Sequence, residues 1–181
     1  QPIYSTAAQS FTSAEALVRI RDKEDKLIFP GDFIDIAERT GLIIELGKEV
    51  FRQVCEFISE HNLEEMGLHY IEINLSTVQC SEANLADEFI GVMEEYGINP
   101  NSVNLEITET SVLENKAILL DNMEKLISYG VTFSLDDFGT GQSNLNYIVD
   151  MPVEIVKFDR EMVSSYFDNM KAKYVMDAAM H

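Results

Sequence analysis

The sequence predicts an α/β fold in which a mainly parallel sheet closes into a barrel. The first observation is that strand-like and helix-like segments alternate along the chain, which is typical of parallel strands joined by crossover helices. The second is that each strand-like segment is apolar on one face and polar on the other. An open doubly wound sheet should be apolar on both faces of its inner strands. A barrel accounts for the division, because one face lines its lumen.

Five segments have strand character and five have helical periodicity. The predicted strands lie at 11–20, 68–75, 102–108, 131–136 and 153–158. The predicted helices lie at 30–38, 41–62, 83–96, 116–129 and 160–179. Pro30 suits the first turn of its helix. No linker or low-complexity stretch separates these segments, so the chain is predicted to form one domain.

Polar side chains share one face of every predicted strand, because side chains alternate faces with a period of two. On the first strand this face carries Glu15, Leu17 and Arg19. On the later strands it carries Tyr70, Glu72 and Asn74, then Asn104, Glu106 and Thr108, then Thr132, Ser134 and Asp136, and finally Lys157 and Asp159. Active sites of barrels form at the carboxyl ends of the strands. The pattern therefore predicts a convergent polar cluster at that end.

The predicted cluster is rich in oxygen donors and contains no His or Cys. The candidate ligands are Glu15, Asn74, Glu106, Asp136 and Asp137. Such donors favour Mg²⁺ or Mn²⁺ over zinc or copper, and converging carboxylates without a cation would repel one another. Two divalent ions about 3.5–4 Å apart are a recurrent arrangement for hydrolysis of a phosphodiester. Lys157 and Arg19 could then contact phosphate oxygens or, for Lys157, the attacking water.

The same residues and motifs also have simpler interpretations. A single acid is more often a helix cap, a surface charge or half of a salt bridge. The Asp-Asp-Phe-Gly run at 136–139 is similar to a kinase magnesium motif, but no Gly-rich loop or His-Arg-Asp segment accompanies it. The Gly-Thr-Gly run at 139–141 is as typical of a tight turn as of a phosphate cradle. The agreement among five strands favours the metal site.

Composition limits the partners. The chain has 13 Lys and Arg against 32 Asp and Glu, a net charge of −19. Such a surface repels nucleic acid polymers, and it would attract a phosphate ligand only through a local cation. Cys55 and Cys80 belong to no CxxC or Cys/His cluster, so they are interpreted as free thiols in a reducing compartment. No apolar run approaches the roughly 18 residues of a membrane span.

Six motifs, in order along the chain, resemble those of the EAL domain family. The first is Glu-Ala-Leu-Val-Arg at 15–19, and the second runs from Pro30 to Ile43. The others are Asn-Leu-Ser at 74–76, Leu-Glu-Ile-Thr-Glu at 105–109, Asp-Asp-Phe-Gly-Thr-Gly at 136–141 and Lys-Phe-Asp-Arg at 157–160. Gln1, Pro2 and Ile3 resemble the end of the family's first barrel strand. The resemblance covers the whole chain.

The resemblance implies an EAL-type (β/α)8 TIM-like barrel with an antiparallel first strand. It also implies hydrolysis of cyclic di-GMP to linear pGpG with two Mg²⁺ or Mn²⁺ ions. The implied catalytic residues are Lys157, Glu15 and Asp136, and the implied metal ligands are Glu15, Asn74, Glu106, Asp136 and Asp137. The implied substrate contacts are Arg19, Leu17, Pro30 and Gln1. Glu109 would stabilise the loop from Asp137 to Ser143, which in the family links metal binding to the dimer interface.

The chain departs from the family in three places and lacks its end. Ile20 replaces a Trp, and we expect it to pack against helices; Gln142 and Asn144 replace a Tyr and a Ser. Most of the family's first strand is missing, as are the last two strands with their Glu motif and substrate-binding Gln. We therefore expect residues 1–181 to be an EAL domain truncated at both ends, forming an incomplete barrel. Without a catalytic Glu, this fragment alone should have little or no activity.

The sequence is compatible with two functions. The parent domain is expected to be a cyclic di-GMP phosphodiesterase in bacterial signalling, and the alternative is a catalytically inactive module that senses cyclic di-GMP. The expected partners are cyclic di-GMP, a second copy bound through the 137–143 loop, and flanking sensory or GGDEF domains. The expected location is the cytoplasm, either free or as part of a membrane-anchored protein.

Overall fold

The computed structural model describes residues 1–108, 116–139 and 151–179. Its strands are β1 (Pro2–Ser5), β2 (Ser10–Ala16), β3 (Ile20–Arg21), β4 (Leu27–Ile28), β5 (Tyr70–Asn74), β6 (Val103–Thr108), β7 (Thr132–Phe138) and β8 (Ile155–Phe158). Six of them form one sheet in the order β1-β2-β5-β6-β7-β8, and β3 and β4 form a separate hairpin. In the large sheet β1 is antiparallel to β2 and the remaining pairs are parallel. The predicted antiparallel first strand is therefore confirmed.

Helices lie between β2 and β5, between β5 and β6 and between β6 and β7, as the alternation predicts. They are α1 (Pro30–Thr40), α2 (Leu42–Glu60), α3 (Thr77–Cys80), α4 (Leu85–Tyr96), α5 (Lys116–Tyr129), α6 (Arg160–Ser165) and α7 (Met170–Ala179), and a 3₁₀ turn spans Pro100–Ser102. Pro30 lies in the first turn of α1, where its missing N–H has no cost. Gly41 ends α1 with φ 75°, a left-handed conformation that Gly adopts without strain.

The core lies between the sheet and the helices. The apolar strand residues predicted to face the helices are buried, among them Ile71, Ile73, Leu105, Ile107, Phe133 and Leu135. Phe51 of α2 and Phe89 of α4 stack with ring centroids 3.8 Å apart. Each such side chain contributes about 1.5–3 kcal/mol by leaving water. The opposite face is also buried at Glu72, Asn104 and Ser134, and the sheet is accordingly curled, with its polar face inside.

Three local predictions were wrong. The predicted strand at 11–20 ends at Ala16, so Arg19 lies beyond the strand and strand alternation does not place it on the face of Glu15. Ile20 belongs instead to the hairpin, where it pairs with Ile28, so its predicted position on a helix-covered strand face does not hold. The predicted helix at 160–179 is two helices, α6 and α7.

A short helix and its capping were not predicted from the sequence. Ser76 caps α3 by accepting a hydrogen bond from the Gln79 N–H, and the Gln79 side chain accepts one from the Ser76 N–H. This reciprocal pair satisfies two otherwise unpaired backbone donors. Gly47 of α2 makes room for Gln79, because a Cβ at that position would overlap the Gln79 amide.

Cys55 and Cys80 are buried thiols, and neither forms a disulfide, as predicted. Across residues 1–108, 116–139 and 151–179, no helix combines the length and apolar character required to cross a membrane.

Candidate functional site

The parallel register places the predicted polar residues at the carboxyl ends of neighbouring strands. Asn74 at the end of β5 is the register partner of Glu106 on β6. Two residues further along β6, Thr108 is the register partner of Asp136 on β7. Because parallel strands end at the same edge of a sheet, these side chains share one rim of the fold.

Glu15 and Asn74 form the first group of this site. The Asn74 amide donates a hydrogen bond from Nδ2 to Glu15 Oε1 at 2.8 Å. The amide therefore directs its N–H toward the carboxylate and keeps its own oxygen available as a ligand. The Glu15 backbone N–H donates to the Gln1 carbonyl at 2.7 Å, which places Gln1 beside the end of β2. Predicted residues 1, 15 and 74 are thus neighbours.

Lys157 of β8 forms the second group with two buried carboxylates. Lys157 Nζ donates to Glu106 Oε2 at 2.7 Å and lies 2.7 Å from Glu72 Oε2. Glu72 and Glu106 are 1% and 3% exposed. Buried carboxylates are rare unless they are paired, so Lys157 is the cation that permits both to be inside.

Burial has a larger effect on the pKa of Glu106 than its pairing with Lys157. Burial raises the pKa of Glu106 to about 8; Lys157 acts in the opposite direction, and the neighbouring Asp136 carboxyl adds to the rise. Burial alone would lower the pKa of Lys157, but its close contacts with Glu106 and Glu72 outweigh burial and raise that pKa. One lysine thus compensates incompletely for the carboxylates around it, and the site favours a further cation.

A neutral hydrogen-bond network on β6 and β7 lies on the same face. Asn104 donates from Nδ2 to Thr132 Oγ1 at 2.8 Å, and Ser134 Oγ donates to Asn104 Oδ1 at 2.7 Å. Because these groups satisfy one another, the network adds no charge to the lumen face and holds β6 and β7 in register.

The two adjacent aspartates at the end of β7 differ in environment. Asp136 is half-buried, and Asp137 is exposed. Asp137 has φ 55°, a left-handed conformation that costs about 1–3 kcal/mol for a residue other than Gly and that occurs often at functional sites. The register of β7 with β8 shifts between Leu135 and Phe138, so both aspartates lie in an irregular part of the strand.

A cavity of about 360 Å³ opens beside the Glu15–Asn74 group. Glu15, Leu17, Pro30 and Asn74 line it, together with apolar residues of α1 and α2. Glu15, Leu17 and Pro30, which were predicted to contact the substrate or a metal ion, therefore share one cavity with Asn74. An apolar pocket with a few polar groups at its rim is the usual form of a small-molecule site.

Arg19 lines a neighbouring cavity of about 300 Å³, which Glu15 and Leu17 also line. The guanidinium lies 5.2 Å from the centroid of the Phe29 ring, a cation–π contact. It also donates to the Val18 carbonyl at 2.7 Å. Arg19 is thus near the predicted site but held against Phe29, a residue that the sequence analysis did not single out.

The donors fit a hard divalent cation by their chemistry, since they are four carboxylates and one amide oxygen. Burial raises the pKa of Glu106, and a bound cation would oppose that rise by stabilising the charged form. Among these donors, Glu15 contacts Asn74, and Glu106 contacts Lys157 and lies beside Asp136. Within the described ranges, no three His, Cys, Asp or Glu side chains are gathered around one point as a metal site.

Some predictions fall outside the described residues, and one contact was missed. Glu109 and residues 140–143 of the predicted loop lie outside the described ranges. Glu72 was placed on the polar face but received no role. The sequence could have indicated a role for Glu72, because it lies between two apolar residues in the middle of a buried strand, where an acid requires a partner.

Comparison with curated proteins gives several relatives. The chain is 31% identical over 178 residues to signaling protein YkoW of Bacillus subtilis, covering 98% of this chain and 22% of that protein. It is 35% identical over 153 residues to the bifunctional diguanylate cyclase/cyclic di-GMP phosphodiesterase MucR of Pseudomonas aeruginosa, covering 83% and 22%. It is 34% identical over 171 residues to the probable cyclic di-GMP phosphodiesterase PdeI of Escherichia coli, covering 92% and 22%. The chain thus spans less than a quarter of each of these relatives.

Solved structures agree with the fold. The PaMucR phosphodiesterase in complex with c-di-GMP matches with a TM-score of 0.86 and 30% identity, over 98% of this chain and 72% of that one. The EAL enzyme Bd1971 with cAMP and cyclic di-GMP bound matches with a TM-score of 0.87 and 28% identity, over 100% and 50%. The sequence model of the EAL domain family matches residues 1–181. The chain therefore belongs to the EAL domain family.

Proposed function

We propose that this chain is part of a phosphodiesterase domain that hydrolyses cyclic di-GMP to linear pGpG with two Mg²⁺ or Mn²⁺ ions. The observation that carries the proposal is the arrangement of Glu15 with Asn74 and of Glu106 with Lys157 at one rim of the sheet, beside an apolar cavity. The relatives MucR and PdeI carry this activity in their names. The similar PaMucR structure is a complex with c-di-GMP.

In this proposal the metal ligands are Glu15, Asn74, Glu106, Asp136 and Asp137. Bound divalent ions supply the positive charge that stabilises the attacking and leaving oxygens of the phosphodiester. They would also make the site locally positive, which matters because a net charge of −19 repels an anionic dinucleotide. Glu106 fits this role because it is a buried carboxylate for which one lysine does not provide full compensation.

The remaining residues bind and orient the substrate. Arg19 would hold a phosphate through its guanidinium fork, and Leu17, Pro30 and Gln1 would contact the nucleotide at the cavity rim. Lys157 would donate a hydrogen bond to a phosphate oxygen or orient the attacking water. Water then adds to phosphorus, the bond from phosphorus to the 3′ oxygen breaks, and that oxygen takes up a proton.

The wider setting of the domain is also proposed. We infer that the described strands belong to an eight-stranded EAL barrel whose final two strands lie outside this chain and contribute a further catalytic Glu. Glu109 would stabilise the loop from Asp137 to Ser143, and a homodimer would form there. The diguanylate cyclase in the name of MucR supports flanking GGDEF domains, and the expected location is the cytoplasm.

The test is a hydrolysis assay on the full-length protein with cyclic di-GMP and Mg²⁺ or Mn²⁺, followed by chromatography of pGpG. Asp136→Asn should lower the rate by about a hundredfold, as expected for loss of a metal ligand. The matched control is Asp121→Asn, because Asp121 pairs with Lys125 on the surface of α5. Full activity in Asp136→Asn would overturn the metal assignment.

Two further arms separate the alternatives. Residues 1–181 alone should show little or no turnover, and rapid turnover by this fragment would refute the need for a missing Glu. Tight binding of cyclic di-GMP by the full-length protein without hydrolysis in either metal would instead assign it as a sensor.

A further inference from the structure

Glu72 is a further carboxylate at the site, outside the set of proposed metal ligands. It lies in the middle of β5 and is 1% exposed. Its backbone neighbours in the register are Glu15 on β2 and Asn104 on β6. Burial of a carboxylate is costly, so a residue of this kind requires a physical reason for its presence.

The contacts of Lys157 with its two carboxylates are unequal. Lys157 Nζ makes a directed hydrogen bond to Glu106 Oε2 at 2.7 Å. The distance to Glu72 Oε2 is also 2.7 Å, yet this oxygen has no hydrogen bond of good geometry among the described residues. We interpret the Glu72 contact as an ion pair that has spare capacity to accept a hydrogen bond.

The second carboxylate is more than Lys157 needs for neutrality. One carboxylate would balance the charge of the lysine, so the second contact, with Glu72, is an excess of partners. That excess has a use if Glu106 turns toward a metal ion. Lys157 then loses a partner, and a buried ammonium without a partner would be costly.

We propose that Glu72 is a positioning residue that retains Lys157 when Glu106 ligates a metal ion. By accepting the hydrogen bond that Lys157 otherwise donates to Glu106, Glu72 removes the competition between the lysine and the metal for the same carboxylate. It thereby keeps the lysine at the rim of the site. This inference rests on the proposed function, because it takes Glu106 as a metal ligand.

The test measures Mn²⁺ binding to the purified protein through the paramagnetic resonance signal of free Mn²⁺, without any turnover. In Glu72→Gln the metal must compete with Lys157 for Glu106, so half-saturation should require about tenfold more Mn²⁺. Glu124→Gln is the charge control, since Glu124 is exposed on α5. Its affinity should stay within about threefold of the unmodified protein, as expected from a screened change of one charge.

Two further variants separate positioning from charge and from structural damage. Glu72→Gln with Lys157→Met removes the competing lysine, so Mn²⁺ affinity should recover to within about threefold of the unmodified protein. Glu72→Asp keeps the charge but shortens the side chain by one methylene, so the affinity should fall by an intermediate factor. Glu72→Asp also serves as the test if Glu72→Gln does not fold.

The outcomes are distinct. Equal affinities in Glu72→Gln and Glu124→Gln, or no recovery in the double variant, would overturn the role of Glu72 while leaving the metal site in place. An unchanged affinity in Glu72→Asp would reduce Glu72 to a source of charge and would also overturn it. Absence of Mn²⁺ binding by the unmodified protein would overturn both this inference and the metal site of the proposed function.

Discussion

Replacement of Lys157 by Met should destabilise the protein strongly and in a pH-dependent manner. Lys157 is the cation between Glu72 and Glu106, both with side chains about 2% exposed. Met preserves most of the length of the side chain and removes the charge. The variant therefore leaves two buried carboxylates without their cation, and loss of one partner of a buried ion pair is among the most destabilising of substitutions.

The magnitude follows from the distances. At an effective dielectric constant of about 20, opposite charges 2.7 Å apart attract by about 6 kcal/mol before desolvation is subtracted. Measured losses for breaking buried pairs are about 3–5 kcal/mol. Because the Lys157 side chain is 26% exposed, we expect a loss near the lower limit, about 3 kcal/mol at pH 8.

The pH dependence gives the prediction a second measurable feature. Burial raises the pKa of Glu106 to about 8, above its ordinary value near 4.3, so the folded protein binds more protons than the unfolded chain between these values. The free energy of unfolding without metal should therefore fall as the pH rises from about 4.5 to 8. In Lys157→Met the deficit should be smaller below about pH 7, where Glu106 is protonated in both folded proteins, and should grow as the pH rises through 8, where only the unmodified protein ionises Glu106.

The assay is urea unfolding followed by circular dichroism, in EDTA, from about pH 5 to about pH 9. The matched control is Lys125→Met, since Lys125 forms an exposed pair with Asp121 and such pairs contribute about 0–1 kcal/mol. A loss for Lys157→Met that equals the control, or that grows as the pH falls, would refute the assignment of Lys157 to two buried carboxylates.

Three other predictions follow from single contacts. Asn122→Ala should lower the free energy of unfolding by about 2 kcal/mol, because Asn122 is buried and makes two hydrogen bonds to the backbone around the start of α4; a change in thermal midpoint no larger than that of a surface Asn→Ala variant would contradict this. Burial raises the pKa of the Cys55 thiol to about 12, so Ellman's reagent should label it at pH 8 only in urea, and rapid labelling of native Cys55 would contradict its placement. Phe29→Ala should weaken cyclic di-GMP binding about threefold in calorimetry, because it removes the cation–π contact with Arg19. Phe29→Tyr keeps an aromatic ring and should bind with the affinity of the unmodified protein. Equal affinity in the unmodified protein and both variants would remove Phe29 from the site.

Much of the fold could be predicted because it depends on patterns that are local in the sequence. The alternation of apolar and polar residues on 70–74, 103–108 and 132–136 assigns strands and faces without any tertiary information. The same reasoning failed at Arg19 and Ile20, because it assumed that β2 continues beyond Ala16. Where a strand ends depends on its neighbour, and the last register pair of β2 with β5 is Ala16 with Ile73.

The sequence by itself determined the types of the site residues and the edge at which they meet. Glu15, Asn74, Glu106 and Asp136 follow from period-two alternation and from the rule that parallel strands end at one rim. Only the tertiary structure decided which of them touch. That Lys157 binds Glu72 as well as Glu106, while Asn74 binds Glu15, depends on the curl of the sheet and on the cost of burying charge. These contacts join strands that are far apart in the chain, so no local sequence pattern predicts them.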